Sequence, residues 1–227
     1  GIPDVITSNT APKKLLKIDD LTTVTEKGIL VLEKGKYKLT QKICQLDRKK
    51  LDIHWRAKLF IHNAPHAILA YLGFLKKYKY IHEAMNDKKI RRIVIGSMNE
   101  ITEGLIKAKY VPKYFAERYK KKEILRFENQ LLFDPISRVA REPIRKLGKE
   151  NRIVLSLRLA QRNKYPPKNI AIGVKAALNY YDNSDNESVS LQKLRKKNPD
   201  SFVLEQICGI EQTDPLNDFC LSQKIKL

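Results

Sequence analysis

Residues 57–73 read AKLFIHNAPHAILAYLG, and the fold turns on how this run is read. Its apolar and aromatic residues recur so densely that they describe a helix hydrophobic on every side, which only a buried core accommodates. Lys58, His62, Asn63 and His66 interrupt it with an amine, an amide and two imidazoles. At about 100° per residue, Asn63 lies about 140° round from Lys58 and His66 about 80°, with His62 between them. The four share one broad face, interleaved with Phe60, Ile61, Ala67 and Leu69. Pro65 has no N–H and clashes with the carbonyl of Ile61, so it either kinks the helix or restarts it near Asn63. Local rules are broken here, and functional sites are where that happens.

Outward from this run the chain divides by texture. From Leu51 the apolar pattern keeps helical periods, predicting helices near 52–76, 80–86, 88–109, 112–128, 136–146, 151–163, 167–181, 187–197, 200–208 and 215–224. Pro112 suits a first turn, and Asp134-Pro135 and Asp214-Pro215 read as cap-plus-proline openings. Gly148 and Gly209 read as helix ends, and YYDNSDNES (180–188) as a polar loop. Before Leu51, TTVTEKG, ILVLEKG and KYKLTQK are short, β-branched and mostly closed by Gly, the pattern of strands and turns. Residues 1–50 are therefore expected to be a small β-containing piece, too small to fold alone, and 51–227 a helical domain.

Bulk composition narrows the function. The 227 residues are 42% hydrophobic and 31% charged, enough for a core and no sign of disorder. No run approaches the ~18 apolar residues of a membrane span, and GIPDVITSNT has neither region of a signal peptide. Cys44, Cys208 and Cys220 are odd in number and outside any CxxC pattern, so a reducing cytoplasm is expected. The net charge of +20 is spread over short runs such as KKIRR (88–92) and RYKKK (118–122), the solvent faces of amphipathic helices. No RNP, helix-turn-helix or zinc-finger spacing accompanies it, so nucleic acid is not expected.

Each polar residue of the opening run also has a plain reading. Lys58 can snorkel, a helix histidine can be a satisfied core residue, and Asn63 can cap a helix restarting at Ala64-Pro65. His62 and His66 are spaced i, i+4, yet HNAPH lacks the Glu of HExxH and no third ligand follows, so no metal is expected. Together, an amine, an amide and an imidazole suit carbonyl–alcohol chemistry. The amine moves the proton, the amide stabilises the oxygen as it gains charge, and the imidazole orients a hydroxyl. The hydride acceptor must come from elsewhere.

KLFIHNAPHAILAYLG resembles the Lys-x4-Asn-x2-His signature of the polyol-specific long-chain dehydrogenases, with Lys58, Asn63 and His66 on its three positions. YKYIHEAMND (78–87), RFENQLLFDPISRVAREPIRKL (126–147) and NRIVLSLRLAQRNKYPPKNI (151–170) are similar to the mannitol-1-phosphate 5-dehydrogenase branch. The resemblance implies a multi-helical domain of the 6-phosphogluconate dehydrogenase C-terminal-like type, preceded by the end of an NAD-binding Rossmann domain. It makes Lys58 the catalytic acid/base, Asn63 the group that polarises the carbonyl, and His66 the holder of substrate hydroxyls, all without a metal. NAD would be bound mainly by the Rossmann domain, since no GxGxxG follows a strand here. Taken alone, the chain is expected to bind NAD weakly and not to turn over.

Arg138, Arg141 and Arg145 fall at i, i+3 and i+7 with Lys146 beside them. They read either as a solvated helix face paired with nearby acids or as a fork for a sugar phosphate. The branch implied by the resemblance favours the fork and a phosphorylated hexitol substrate; the alternatives are a related dehydrogenase acting on a free polyol or sugar acid, or a basic helical binding module that has lost catalysis. Two departures stand out. Ala64-Pro65 replaces the Thr-Gly the family usually carries, and Ser8-Asn9 stands where it tends to have Asp-Arg.

Overall fold

The computed structural model describes residues 2–4, 7–8, 13–18, 24–25, 29–35 and 43–227. In its β-containing piece, β1 (Ile2–Asp4) pairs antiparallel with β4 (Ile29–Glu33), and β4 pairs in parallel with β5 (Ile43–Leu46). A second ribbon joins β2 (Thr7–Ser8) to β3 (Val24–Thr25), and a short helix, α1, spans Lys13–Leu16. The expected strand in KYKLTQK (36–42) lies outside the described residues, as do Asn9 and residues 10–12.

The helical body begins at α2 (Arg48–Arg56), whose N-cap Asp47 accepts the Lys50 N–H at 2.9 Å. Leu51 on α2 shares a small apolar cluster with Val31, Cys44 and Leu46, so this helix ties the sheet to the body. The chain continues without a break through Ala57–Asn63 into α3 (Ala64–Leu75). Every residue of α3 from Ala64 to Gly73 is buried, as the all-round apolar pattern requires. Around it pack α4 (Ile81–Asn86), α5 (Lys88–Lys107), α7 (Ile136–Ala140), α9 (Arg152–Arg162) and α10 (Lys168–Leu178). Long α6 (Lys113–Glu128) crosses α4 and α5, while α8 (Pro143–Leu147), α11 (Asn186–Lys197), α12 (Asp200–Cys208) and α13 (Pro215–Ser222) complete the shell. One continuous core joins them, and among the described residues no helix is long and apolar enough to cross a membrane.

The helical periods place most elements to within a few residues, with three corrections. The expected helix 136–146 is two helices, α7 and α8, broken at Arg141 and Glu142, whose φ is 60°. Pro143 disfavours the α-helical conformation in Glu142, so the chain turns there. Asp134 does not cap α7: Pro135 holds the N-cap position without a side-chain hydrogen bond, and Asp134 is turned elsewhere. Pro112 likewise stands at the N-cap of α6 rather than in its first turn. Asp214 does cap α13, accepting the Leu216 N–H at 2.9 Å, and Gly209 ends α12 in the left-handed conformation.

Candidate active site

The polar run sits where the chain changes helical form. Ala57–Asn63 is a π-helix, and α-helical geometry resumes at Ala64 with Pro65 in the first turn. The i→i+5 turn directly precedes Pro65, whose missing N–H an α-helix would need, and π segments are frequent at functional sites. It also changes which residues face together. Lys58 and Asn63 are five apart, the span of one π-helical hydrogen bond, so they stand much closer round the axis than the about 140° of an α-helix. His66, three further on in α-helical geometry, continues the same stripe. Lys58 and Asn63 are half-buried and His66 is 7% exposed. Asn63 has helical angles and no capping hydrogen bond, so the capping role is excluded.

His66 is fixed from two sides. Its ring stacks on Phe127, 4.9 Å between centroids at 18°, and its Nε2 lies 3.1 Å from Asp134 Oδ2, in ion-pair range but outside hydrogen-bond geometry. Asp134 Oδ1 accepts two N–H bonds from Arg138, at 2.9 Å and 2.6 Å. Burial pushes the Asp134 carboxyl up, but His66 and Arg138 outweigh it and hold the group below its ordinary value. The backbone locks this aspartate in place: Ile81 N–H donates to Asp134 O at 2.9 Å, and Ile136 N–H to Lys79 O at 3.0 Å. A small recess opens beside the pair, lined by His66, His82, Arg126, Phe127, Asn129 and Asp134 among others. Strand β3 approaches its rim at the 3-10 turn Gln130–Leu132, bringing the β-containing piece to the site.

His62 lies beside His66 and also touches Phe127, 5.5 Å between ring centroids, but its own partner is a different carboxylate. It is 5% exposed, and its Nδ1 lies 2.5 Å from Glu123 Oε2, whose carboxylate also accepts Arg126 Nη1 at 2.8 Å and 3.0 Å. Burial drives the His62 pKa down to about 4, against the pull of Glu123, so the ring is neutral near pH 7 and Nδ1–H donates. The two imidazoles, 5.1 Å apart, therefore face separate carboxylates. Among the described residues no three His, Cys, Asp or Glu gather as metal ligands would.

The basic cluster differs from a single helical fork. Arg138 is engaged by Asp134, across the break from the others. Arg145 pairs with Glu142, its Nε 2.6 Å from Oε2, and Lys146 is buried with its ammonium donating to the Arg141 carbonyl. Burial, then Arg145 and Arg152, lower the Lys146 pKa to about 8. Arg141, Arg145, Lys146 and Arg152 thus form one positive cluster, and Arg152 was not foreseen. Asp134, Glu123 and Phe127 were not foreseen either. Asp134 was disguised by the proline after it, and only tertiary packing brings Glu123 and Phe127 to the histidines.

A family profile described as the mannitol dehydrogenase C-terminal domain matches residues 50–210. The chain belongs to that family. The mannitol-1-phosphate 5-dehydrogenase of Clostridium acetobutylicum is 35% identical over 188 residues, 82% of this chain and 49% of that protein. That of Bacillus velezensis is 39% identical over 166 residues, 73% of this chain and 43% of its own. A solved Pseudomonas fluorescens mannitol 2-dehydrogenase, in ternary complex with NAD and D-mannitol, superposes with a TM-score of 0.72 at 22% identity. That alignment covers 97% of this chain and 49% of the other, so the mannitol dehydrogenase fold extends into the β-containing piece. The chain spans about half the length of these relatives.

Proposed function

We propose that this chain is the substrate-binding and catalytic half of an NAD-dependent polyol-phosphate dehydrogenase that interconverts mannitol 1-phosphate and fructose 6-phosphate. The observation that carries the reading is the π turn, which brings Lys58 and Asn63 toward one side of the helix and leads into His66, which lines a recess. The curated relatives named mannitol-1-phosphate 5-dehydrogenase support the substrate class. When bound, NAD supplies the hydride acceptor. No GxGxxG occurs in this sequence, so the described residues offer no dinucleotide cradle and a Rossmann domain outside this sequence would hold it. On this reading the 227 residues alone are inactive.

In oxidation Lys58 takes the alcohol proton and in reduction returns it. Asn63 donates its amide N–H to the oxygen as negative charge develops there, and His66, braced by Phe127 and Asp134, holds a neighbouring hydroxyl. Arg141, Arg145 and Lys146 form the phosphate subsite, while Arg138 serves His66 indirectly by fixing Asp134. A free polyol is the competing substrate.

The test uses this chain joined to its NAD-binding half. Lys58→Ala is expected to lower kcat by roughly 10²–10⁴-fold with NAD affinity unchanged. Arg141→Ala/Arg145→Ala should raise KM for fructose 6-phosphate tenfold or more and leave KM for free fructose alone. Near-wild-type turnover by Lys58→Ala would refute the acid/base assignment, and an unmoved KM would refute the phosphate subsite.

A further inference from the structure

A second concavity lies away from the Lys58–His66 stripe and shares no lining residue with the recess beside it. It encloses about 1110 Å³, the scale of a small-ligand site. Its cations are Lys88, Arg91, Arg92, Lys168, Lys224 and Lys226, from the start of α5, the start of α10 and the C-terminal tail. Among the described residues that line it there is no Asp or Glu and no aromatic residue. Among the described residues, Arg91 alone of these six makes an ion pair, its Nη2 2.7 Å from Glu128.

The walls of this cleft are held in place from behind. Glu100 accepts Asn169 N–H at 2.8 Å, Ile170 N–H at 2.9 Å and the Asn169 amide at 2.6 Å. It also attracts Lys168 at the start of α10, so the carboxylate behind the wall offsets part of one cleft charge. The floor needs Gly96, because a Cβ there would stand 2.4 Å from the Asn169 amide. Lys175 Nζ donates to the carbonyls of Leu221 and Gln223, at 2.7 Å and 2.8 Å, and pins the tail that carries Lys224 and Lys226.

Like charges gathered round one cleft, five of the six outside any ion pair to a described residue, favour a multiply charged anion over a singly charged one. The missing aromatics remove the stacking platform that single-stranded nucleic acid uses. We infer that this cleft binds a small polyphosphorylated anion through its phosphate chain. That chain could be inorganic or belong to a nucleoside triphosphate, since the cleft offers donors to phosphate oxygens and no ring for a base.

Titration calorimetry of the 227-residue chain at about 150 mM salt, where general surface attraction is screened, tests the inference. Inorganic tripolyphosphate is expected to bind at least tenfold tighter than orthophosphate, and ATP within threefold of tripolyphosphate. Arg92→Glu/Lys168→Glu/Lys224→Glu should weaken tripolyphosphate at least tenfold. Lys113→Glu/Arg118→Glu/Lys121→Glu on α6 makes the same change in net charge and should weaken it less than threefold. If the first variant does not fold, Lys224→Glu/Lys226→Glu in the non-helical tail carries the comparison, with at least a fivefold loss expected. Equal losses in cleft and control variants would reduce the effect to net charge and overturn the site. So would orthophosphate binding as tightly as tripolyphosphate, ATP binding tenfold tighter, or a single-stranded oligonucleotide displacing tripolyphosphate from the cleft.

Discussion

At the scale of single residues, the two histidines of HNAPH are both buried but face different carboxylates. His66 lies on the stripe and faces Asp134, whereas His62 is enclosed with Glu123 and Arg126. Enclosure sets the sign of a pH effect. The folded His62 titrates near 4 and its unfolded counterpart near 6.5, so between those values the unfolded chain binds more protons. Stability is therefore complete above about pH 6.5 and declines as pH falls toward 4. Glu123, held below its ordinary value although burial opposes this, adds a loss of the same sign at lower pH. Between pH 7 and pH 5 the His62 contribution amounts to about 2 kcal/mol. His62→Leu should be less stable at pH 7, because Glu123 loses a donor, and should lose about 2 kcal/mol less than the parent on going to pH 5. Urea unfolding at the two pH values measures this; parallel losses in both proteins would mean that His62 is not held neutral. Lys58, Asn63 and His66 were legible because an amine, an amide and an imidazole are conspicuous in an apolar run. Glu123 was not, because nothing local distinguishes a buried carboxylate from its solvated neighbours on a charged helix.

At the scale of elements, helices were legible where their periodicity was carried by one buried face, and less so where the chain departs from α geometry. Nothing in residue type marks Ala57–Asn63 as a π turn; Pro65 signalled a disturbance without its form. The break at Glu142 was more readable than the expected helix 136–146 allowed, since Pro143 stands directly after it. Close approach between elements is a further constraint. Gly73 on α3 would place a Cβ 2.8 Å from Ala84 Cβ on α4 and 2.6 Å from Ile136 Cδ1 on α7. Ile136 can swing its side-chain end aside, but Ala84 Cβ moves only with its helix. Gly73→Ala therefore gains about 1 kcal/mol of helix propensity and loses about 1–3 kcal/mol to overpacking, a net destabilisation. Because Ile136 follows Asp134 by two residues, the displacement also reaches the partner of His66. Thermal unfolding of the variant checks the sign, and a raised Tm would show that α4 and α7 yield without cost.

At the scale of the whole molecule, a mainly helical body was legible from its periods, while the pairing of the β strands was not, because sheet partners are chosen at a distance. Charge is the other global property, and its distribution matters more than its total. Several exposed ion pairs exist, such as Arg48 with Glu33 and with Asp52, and such pairs each contribute at most about 1 kcal/mol. They are set against a net charge of +20, whose self-repulsion is long-ranged at low ionic strength and opposes the compact state. Raising salt from about 0.01 M to 0.3 M shortens the screening length from about 30 Å to below 10 Å. Repulsion between distant lysines falls away over that range, while contact pairs at 3–4 Å lose less. The Tm of the 227-residue chain should therefore rise by several degrees with sodium chloride, and Lys113→Glu/Arg118→Glu/Lys121→Glu should raise it at low salt and flatten the dependence. Calorimetric scans across the salt series read both effects. A Tm that falls with salt would mean that specific ion pairs outweigh the net repulsion, and the cations of the second cleft would then be no more strained than the rest of the surface.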